Sequence, residues 1–182
     1  MAGIEGLLRN YEKYVAIPWE SHLAGPQKVW FAVYNPMDER RLRTRIGEFE
    51  QATRHANHGW RHFDLTPLFA QWMAQHRYRD SYFAKPENLT MALTKFEAHV
   101  ADTLRTVLTA EGVDEHTVIA VSGVASLFGL TRVSSVLEVV AHSINGRLLV
   151  FFPGERNGAG YRLLDARDGW NYLAIPITAQ ES

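Results

Sequence analysis

Eight histidines, twenty carboxylates, nineteen basic side chains and no cysteine set the chemistry open to this 182-residue chain. Without thiols there are no disulfides, thiolate zinc sites, iron–sulfur clusters or cysteine nucleophiles. His55, His58 and His62 are the densest histidine group. His58 and His62 straddle Gly59 and a strand start, so they are not an i,i+4 pair on a helix, and no carboxylate intervenes before Asp64. They are expected to be solvated histidines near a helix end, where the dipole favours them. Gly123-Val-Ala-Ser-Leu-Phe-Gly129-Leu-Thr131 follows a strand and precedes a helix, as a phosphate loop does. A P-loop has four residues between its glycines and then lysine with serine or threonine. Here five intervene, and Leu130 stands at the lysine position. Its apolar residues suggest a turn packed into the core. Ser122-Gly123 lacks the glycine pattern of a nucleophile elbow. Glu155, Asp165 and Asp168 lie in turn chemistry, where acids satisfy backbone amides. No catalytic residue, metal ligand or cofactor site is assigned.

Arg40, Arg41, Arg43 and Arg45 are the only basic cluster. At helical spacing they spread around Leu42, Ile46 and Phe49, and Glu39–Arg43 and Arg45 with Glu48 or Glu50 are within pairing reach. A solvated, ion-paired helix is expected, with nucleic-acid contact through these four as the alternative. Trp170, between Gly169 and Asn171, and Tyr172 are candidate interface anchors. The turn-rich stretch 153–160, with Pro153, Gly154, Glu155 and Arg156, is the other candidate interface.

A chain of this length is read as one domain over 1–182, with an amino-terminal helix and connector in 1–25 and a polar tail in 178–182. Net charge is −1 and 46% of residues are apolar, ordinary values for a globular chain. Charge therefore gives no global drive toward nucleic acid or anionic lipid. Charged residues interrupt the first positions, unlike a signal peptide, and no apolar window approaches the ~18–20 residues of a membrane span. A soluble, cytoplasmic protein is expected.

The elements that must position these residues alternate. Ile4, Leu7, Leu8, Tyr11 and Val15 mark a helix face that Pro18 should stop. Lys28-Val-Trp-Phe-Ala-Val-Tyr34 is apolar on both faces, as an interior strand is. Asn35-Pro36 is a cap-plus-proline helix start, repeated at Thr66-Pro67. Trp60-Arg-His-Phe-Asp-Leu65, Thr117-Val-Ile-Ala-Val-Ser-Gly123 and 147–152 read as further strands, with helices over 88–111 and 133–144 between them. Pro153-Gly154 and Asn157-Gly158 read as turns, and Asp168-Gly169 as a hairpin. The final strand, 171–177, carries Pro176 and belongs at an edge. The fold expected is a three-layer α/β/α domain with a mostly parallel mixed sheet and an antiparallel carboxyl-terminal edge. In such sheets ligands sit beyond the carboxyl ends of the strands, here the loops after Tyr34, Leu65, Ser122 and Phe152.

An ordered set of segments carries a resemblance. Val121-Ser-Gly-Val-Ala-Ser-Leu-Phe128, Arg132-Val-Ser-Ser-Val-Leu137, Leu148-Leu-Val-Phe-Phe-Pro-Gly-Glu155, Tyr161-Arg-Leu-Leu-Asp165 and Asn171-Tyr172, with Val29-Trp-Phe-Ala-Val-Tyr34 and the arginine-rich helix, resemble the BrxB family of bacterial BREX phage-defence systems. Members tend to show two tyrosines after the Asn, where this chain has Tyr172-Leu173. The resemblance implies a P-loop-type α/β fold without working phosphate motifs, resembling a degenerate P-loop domain. It implies a non-enzymatic subunit with no catalytic residues to carry over. It implies association with PglZ, a phosphatase-superfamily protein, and with the methyltransferase or large ATPase of the same system as further partners. A DNA-contacting accessory protein and a remnant nucleotide- or metal-dependent enzyme are the alternative functions.

Overall fold

In the computed structural model five parallel strands form a sheet with helices on both faces, as expected. The structure describes residues 3–158, 160–164, 166–167 and 173–180. Trp170 and Tyr172, the proposed hairpin at Asp168-Gly169, and Asp165 lie outside them. Helix α1 (Ile4–Val15) leads to β1 (Val29–Tyr34), α2 (Glu39–His55) and β2 (Gly59–Asp64). Then come α3 (Leu68–Gln75), α4 (Arg79–Ala84), α5 (Leu89–Leu108), β3 (Thr117–Ser122) and α6 (Val133–Val140). The chain ends in β4 (Arg147–Asn157), β5 (Gly160–Leu163), β6 (Ala166–Arg167) and β7 (Ile175–Ile177). No described helix is long and apolar enough to cross a membrane.

The strand order is β2-β3-β4-β1-β7. Two-residue alternation splits the core between the two faces. Trp30, Ala32, Val118, Ala120, Leu149 and Phe151 face α1 and α2, where Tyr11, Leu42 and Phe49 meet them. Val29, Phe31, Ile119, Val121, Leu148 and Val150 face α5 and α6, meeting Phe96, Val100, Leu104 and Val136. From β1 the chain crosses the sheet toward β2 through α2. From β2 it returns toward β3 and β4 through helices on the opposite face. Reversing both direction and face keeps one crossover hand.

α1 stops at Val15, with Ala16 as its cap and Pro18 just beyond, as a proline stop predicts. Two local expectations are corrected. Pro153-Gly154 is not a turn: β4 runs through it to Asn157, so the candidate interface stretch is a hairpin arm. Pro153 is the last β4 residue in register with β1, opposite Tyr34, and Gly154 opens the antiparallel ladder opposite Leu163. Proline sits where one ladder yields to the next, so its missing N–H removes little. At Gly154 a Cβ would overlap the Arg162 carbonyl, which is why glycine is required. Asn157-Gly158 is the turn, with Gly158 at φ 61. Second, among the described residues the last strand covers only Ile175–Ile177, and β7 joins β1 in parallel; the antiparallel part is built by β4, β5 and β6.

The hairpin arm is anchored by Tyr161, whose ring lies 4.6 Å from that of Phe31 and 5.8 Å from that of Phe152. Its hydroxyl donates to the Ala174 carbonyl at 2.8 Å, tying the arm to the lead into β7.

Two substitutions test this packing in opposite directions. Phe49, fully buried against Tyr11 and Phe151, should lose about 3–5 kcal/mol on Phe49→Ala in urea unfolding. Gly47 in α2 has open space where a Cβ would go, so Gly47→Ala should add about 0.5–1 kcal/mol.

Candidate docking cleft at the carboxyl ends of the strands

After β1 the chain heads toward the β2 edge, and after β4 it heads toward β7. These paths cross within the sheet plane but take opposite faces, α2 on one and the β4–β5 hairpin on the other, and a crevice is left between them beyond the end of β1. A cleft of about 1130 Å³ fills that place. Tyr34, Asn35, Met37, Asp38 and Arg41 line one side, Gly154, Glu155 and Arg156 another, and Thr178 and Gln180 close it beyond β7. It contains three of the expected interface residues and one of the expected nucleic-acid contacts.

Asn35 accepts a hydrogen bond from the Met37 amide at 3.0 Å, capping the 3-10 turn of residues 36–38 that leads into α2. That turn pushes Met37 outward to 90% exposure. Asp38 and Glu39 put negative charge at the amino end of α2. The charges suit the helix dipole but oppose a phosphate at the place where a phosphate loop of this layout would bind one. Glu155 faces Arg162 across the hairpin at 3.4 Å, and Arg156 donates from Nε to the Gly158 carbonyl at 3.1 Å, with its guanidinium exposed.

Beside the cleft a polar network joins the ends of β1, β2 and β3. The Tyr34 hydroxyl donates to Glu39. Arg43 donates to Glu39 Oε1 at 2.8 Å, Asp64 Oδ2 at 3.2 Å and Thr66 Oγ1 at 2.8 Å. Asp64 Oδ1 accepts from the Thr66 amide at 2.9 Å and hydroxyl at 2.6 Å. Gly123, at φ +77, lies so close that a Cβ would strike Asp64 and Thr66. Burial pushes the Asp64 carboxyl up, but the two Thr66 hydrogen bonds and the Arg43 charge outweigh it and hold it below its ordinary value. Burial, and then the Glu39 carboxylate, push the Tyr34 phenol well above its ordinary range, so it stays a donor.

The turn after Ser122 is packed as read from sequence: Val124 and Leu127 are each 1% exposed. Ser122 and His62 Nε2 share a hydrogen bond of 2.7 Å, yet the serine is buried, which removes it from any substrate. Burial lowers the His62 basicity, so the ring stays neutral at pH 7. His58 is not simply solvated: its ring stacks on Trp19 with centroids 3.6 Å apart. His55 is exposed, so the three histidines do not converge, and no group of three or more potential ligands occurs among the described residues.

The arginines are mostly occupied. Arg43 holds Glu39 and Asp64, Arg45 holds Glu48 at 2.7 Å and Glu5 at 3.0 Å, and Arg41 holds Glu5. Glu50 pairs with Arg54 and not with Arg45. Arg40 is exposed and has no ion pair with a described residue. Sequence reasoning pointed to the loops after Tyr34 and Phe152 but did not single out Tyr34, Met37, Asp38, Thr178 or Gln180 as cleft walls. The Asn35-Pro36 signal marked the turn, but only the strand order reveals what lies across from it.

A second hollow, of about 610 Å³, runs between α5, the turn after β3 and α6, where Thr131 donates to Glu97. It is lined by Gly129, Leu130 and Thr131 of the loop after β3, with Arg132 and Ser135 where α6 starts. No family model, curated protein or solved structure matches the chain.

A carboxyl held below its ordinary value stabilises the fold above its unfolded pKa, here near 3.8, and that contribution disappears as pH falls through the lower folded value. Asp64→Asn should therefore flatten the fall of Tm with pH below about pH 4, measured by thermal unfolding between about pH 3 and 7.

Proposed function

We propose that this protein is a non-catalytic assembly or regulatory subunit that docks a partner protein in the cleft between β1 and β4. The observation that carries this reading is the way the strand ends are filled. The switch point has an acidic helix start where an anion-binding loop would present free amides. The neighbouring ends are closed by the Tyr34–Glu39–Arg43–Asp64–Thr66 network. What stays open is a broad cleft with an exposed methionine at its lip and an exposed arginine opposite. Methionine adapts to varied apolar surfaces, and arginine is enriched among residues that dominate interfaces.

Together with the BrxB resemblance, this favours a place in a BREX-type phage-defence complex, with the PglZ-type protein as first partner and the methyltransferase or ATPase as others. The DNA-contacting reading has less support, because Arg41, Arg43 and Arg45 each direct their charge to a carboxylate. A nucleotide-dependent reading meets like charge at the start of α2.

The test is co-purification with a PglZ-type protein of a BREX system. Binding should be measurable at micromolar concentration. Met37→Asp combined with Arg156→Glu should weaken it at least about tenfold while Tm is unchanged, because both side chains are exposed. Absence of association, or stabilisation by ATP with Mg²⁺ in a thermal-shift titration, would overturn the proposal.

A further inference from the structure

At the opposite end of the sheet, where β1, β4 and β7 begin, lies a separate cavity of about 400 Å³. Its walls are aromatic: Tyr14 from the end of α1, Trp19 from the connector and Trp30 from β1. Ile17 and Leu173 stand exposed at its rim. Arg147, the first residue of β4, also lines it.

Arg147 is the unusual group. It is only 5% exposed, and it forms no ion pair with a carboxylate among the described residues. Its guanidinium donates to two main-chain carbonyls, Gly146 at 3.0 Å and Glu20 at 3.0 Å. It lies 4.9 Å from the Trp19 ring centroid and 5.9 Å from that of Trp30. Carbonyl dipoles and ring faces partly solvate a cation but do not neutralise it. A guanidinium carries five N–H donors in a planar fork suited to a carboxylate, and the two carbonyls use only part of that fork. The Glu20 carboxylate is close enough for its field to reach Arg147 but is not bonded to it, and its residue is exposed.

We infer that this cavity binds a small organic acid, an aromatic or apolar body carrying one carboxylate, with Arg147 taking the carboxylate and Tyr14, Trp19 and Trp30 enclosing the rest. The volume falls in the range of small-molecule pockets, about 300–1,000 Å³, which are apolar with a few placed polar groups. Phosphate fits the site poorly: one guanidinium among aromatic walls supplies few of the N–H donors that a phosphate engages. The site is independent of the docking cleft, which lies at the other ends of the same strands.

The experiment uses the whole protein and two probes of one shape, 3-phenylpropionate and its uncharged amide, 3-phenylpropionamide. Binding is read from thermal stabilisation and from the indole N–H resonances of Trp19 and Trp30. The acid should shift both resonances and bind at least about tenfold more tightly than the amide. Arg147→Met should abolish that preference. Arg147 is buried, so that variant is informative only if folded; Glu20→Gln, at an exposed position, is the second variant. Removing its competing charge should tighten binding of the acid and leave the amide unchanged. Equal binding of acid and amide, no response up to about 10 mM acid, shifts confined to indoles outside the cavity, or a Glu20→Gln variant that binds the acid no better would each overturn the inference.

Discussion

β1 and β4 lie side by side in parallel over six residue pairs, Val29↔Leu148 through Tyr34↔Pro153, with both faces of each strand buried. Parallel pairing requires a crossover for every neighbour, and burial on both faces requires those crossovers to form two helical layers. The strand directions then follow. β1 sends its chain over one face toward β2, and β4 sends its chain over the other face toward β7, so the exits part across the sheet at their carboxyl ends. The docking cleft lies between them, and the amino-terminal cavity is its counterpart where the same strands begin.

The two ends of the pair handle charge differently. At the carboxyl end, acids, an arginine, a tyrosine and a threonine satisfy one another around Asp64, in a half-exposed setting where each ion pair is worth about 0–1 kcal/mol. The network fixes geometry more than it adds stability: it sets α2 against the ends of β2 and β3, while Gly123 leaves no room for a side chain between them. At the amino end a single guanidinium is enclosed by carbonyls and indoles. Self-satisfied groups at one end support a reading in which recognition there uses shape and exposed side chains. The enclosed cation at the other supports a ligand that brings its own charge.

Much of the fold was legible because its signals are local. The doubly apolar runs at 29–34 and 117–122 became interior strands, and Phe96, Val100 and Leu104 marked the buried stripe of α5. The hydrocarbon plug after Ser122 was visible in Val124 and Leu127. The Glu39–Arg43 and Arg45–Glu48 pairs were visible in their spacing. What was not legible depends on distant parts of the chain. Pro153-Gly154 has turn composition, yet it serves a switch between two ladders because Tyr34 and Leu163 are waiting on either side. His58 reads as a surface residue until Trp19, far away in sequence, stacks on it. The cleft walls required the strand order, which no local pattern encodes. Arg147 looks like an ordinary strand-entry residue until Trp19 and Trp30 close over it.

Among the described strands the parallel ladder ends at β7 on one side and β2 on the other, and each margin discourages addition of a foreign strand. β7 is three residues long and includes Pro176, so its rim offers few amide donors for main-chain pairing. β2 places exposed Arg61 and His62 along its length, side chains that must be desolvated before another backbone can approach. Growth by backbone zippering, the route to fibres and swapped sheets, is thus obstructed at both limits of the parallel ladder, and contact at those margins is left to side-chain surfaces.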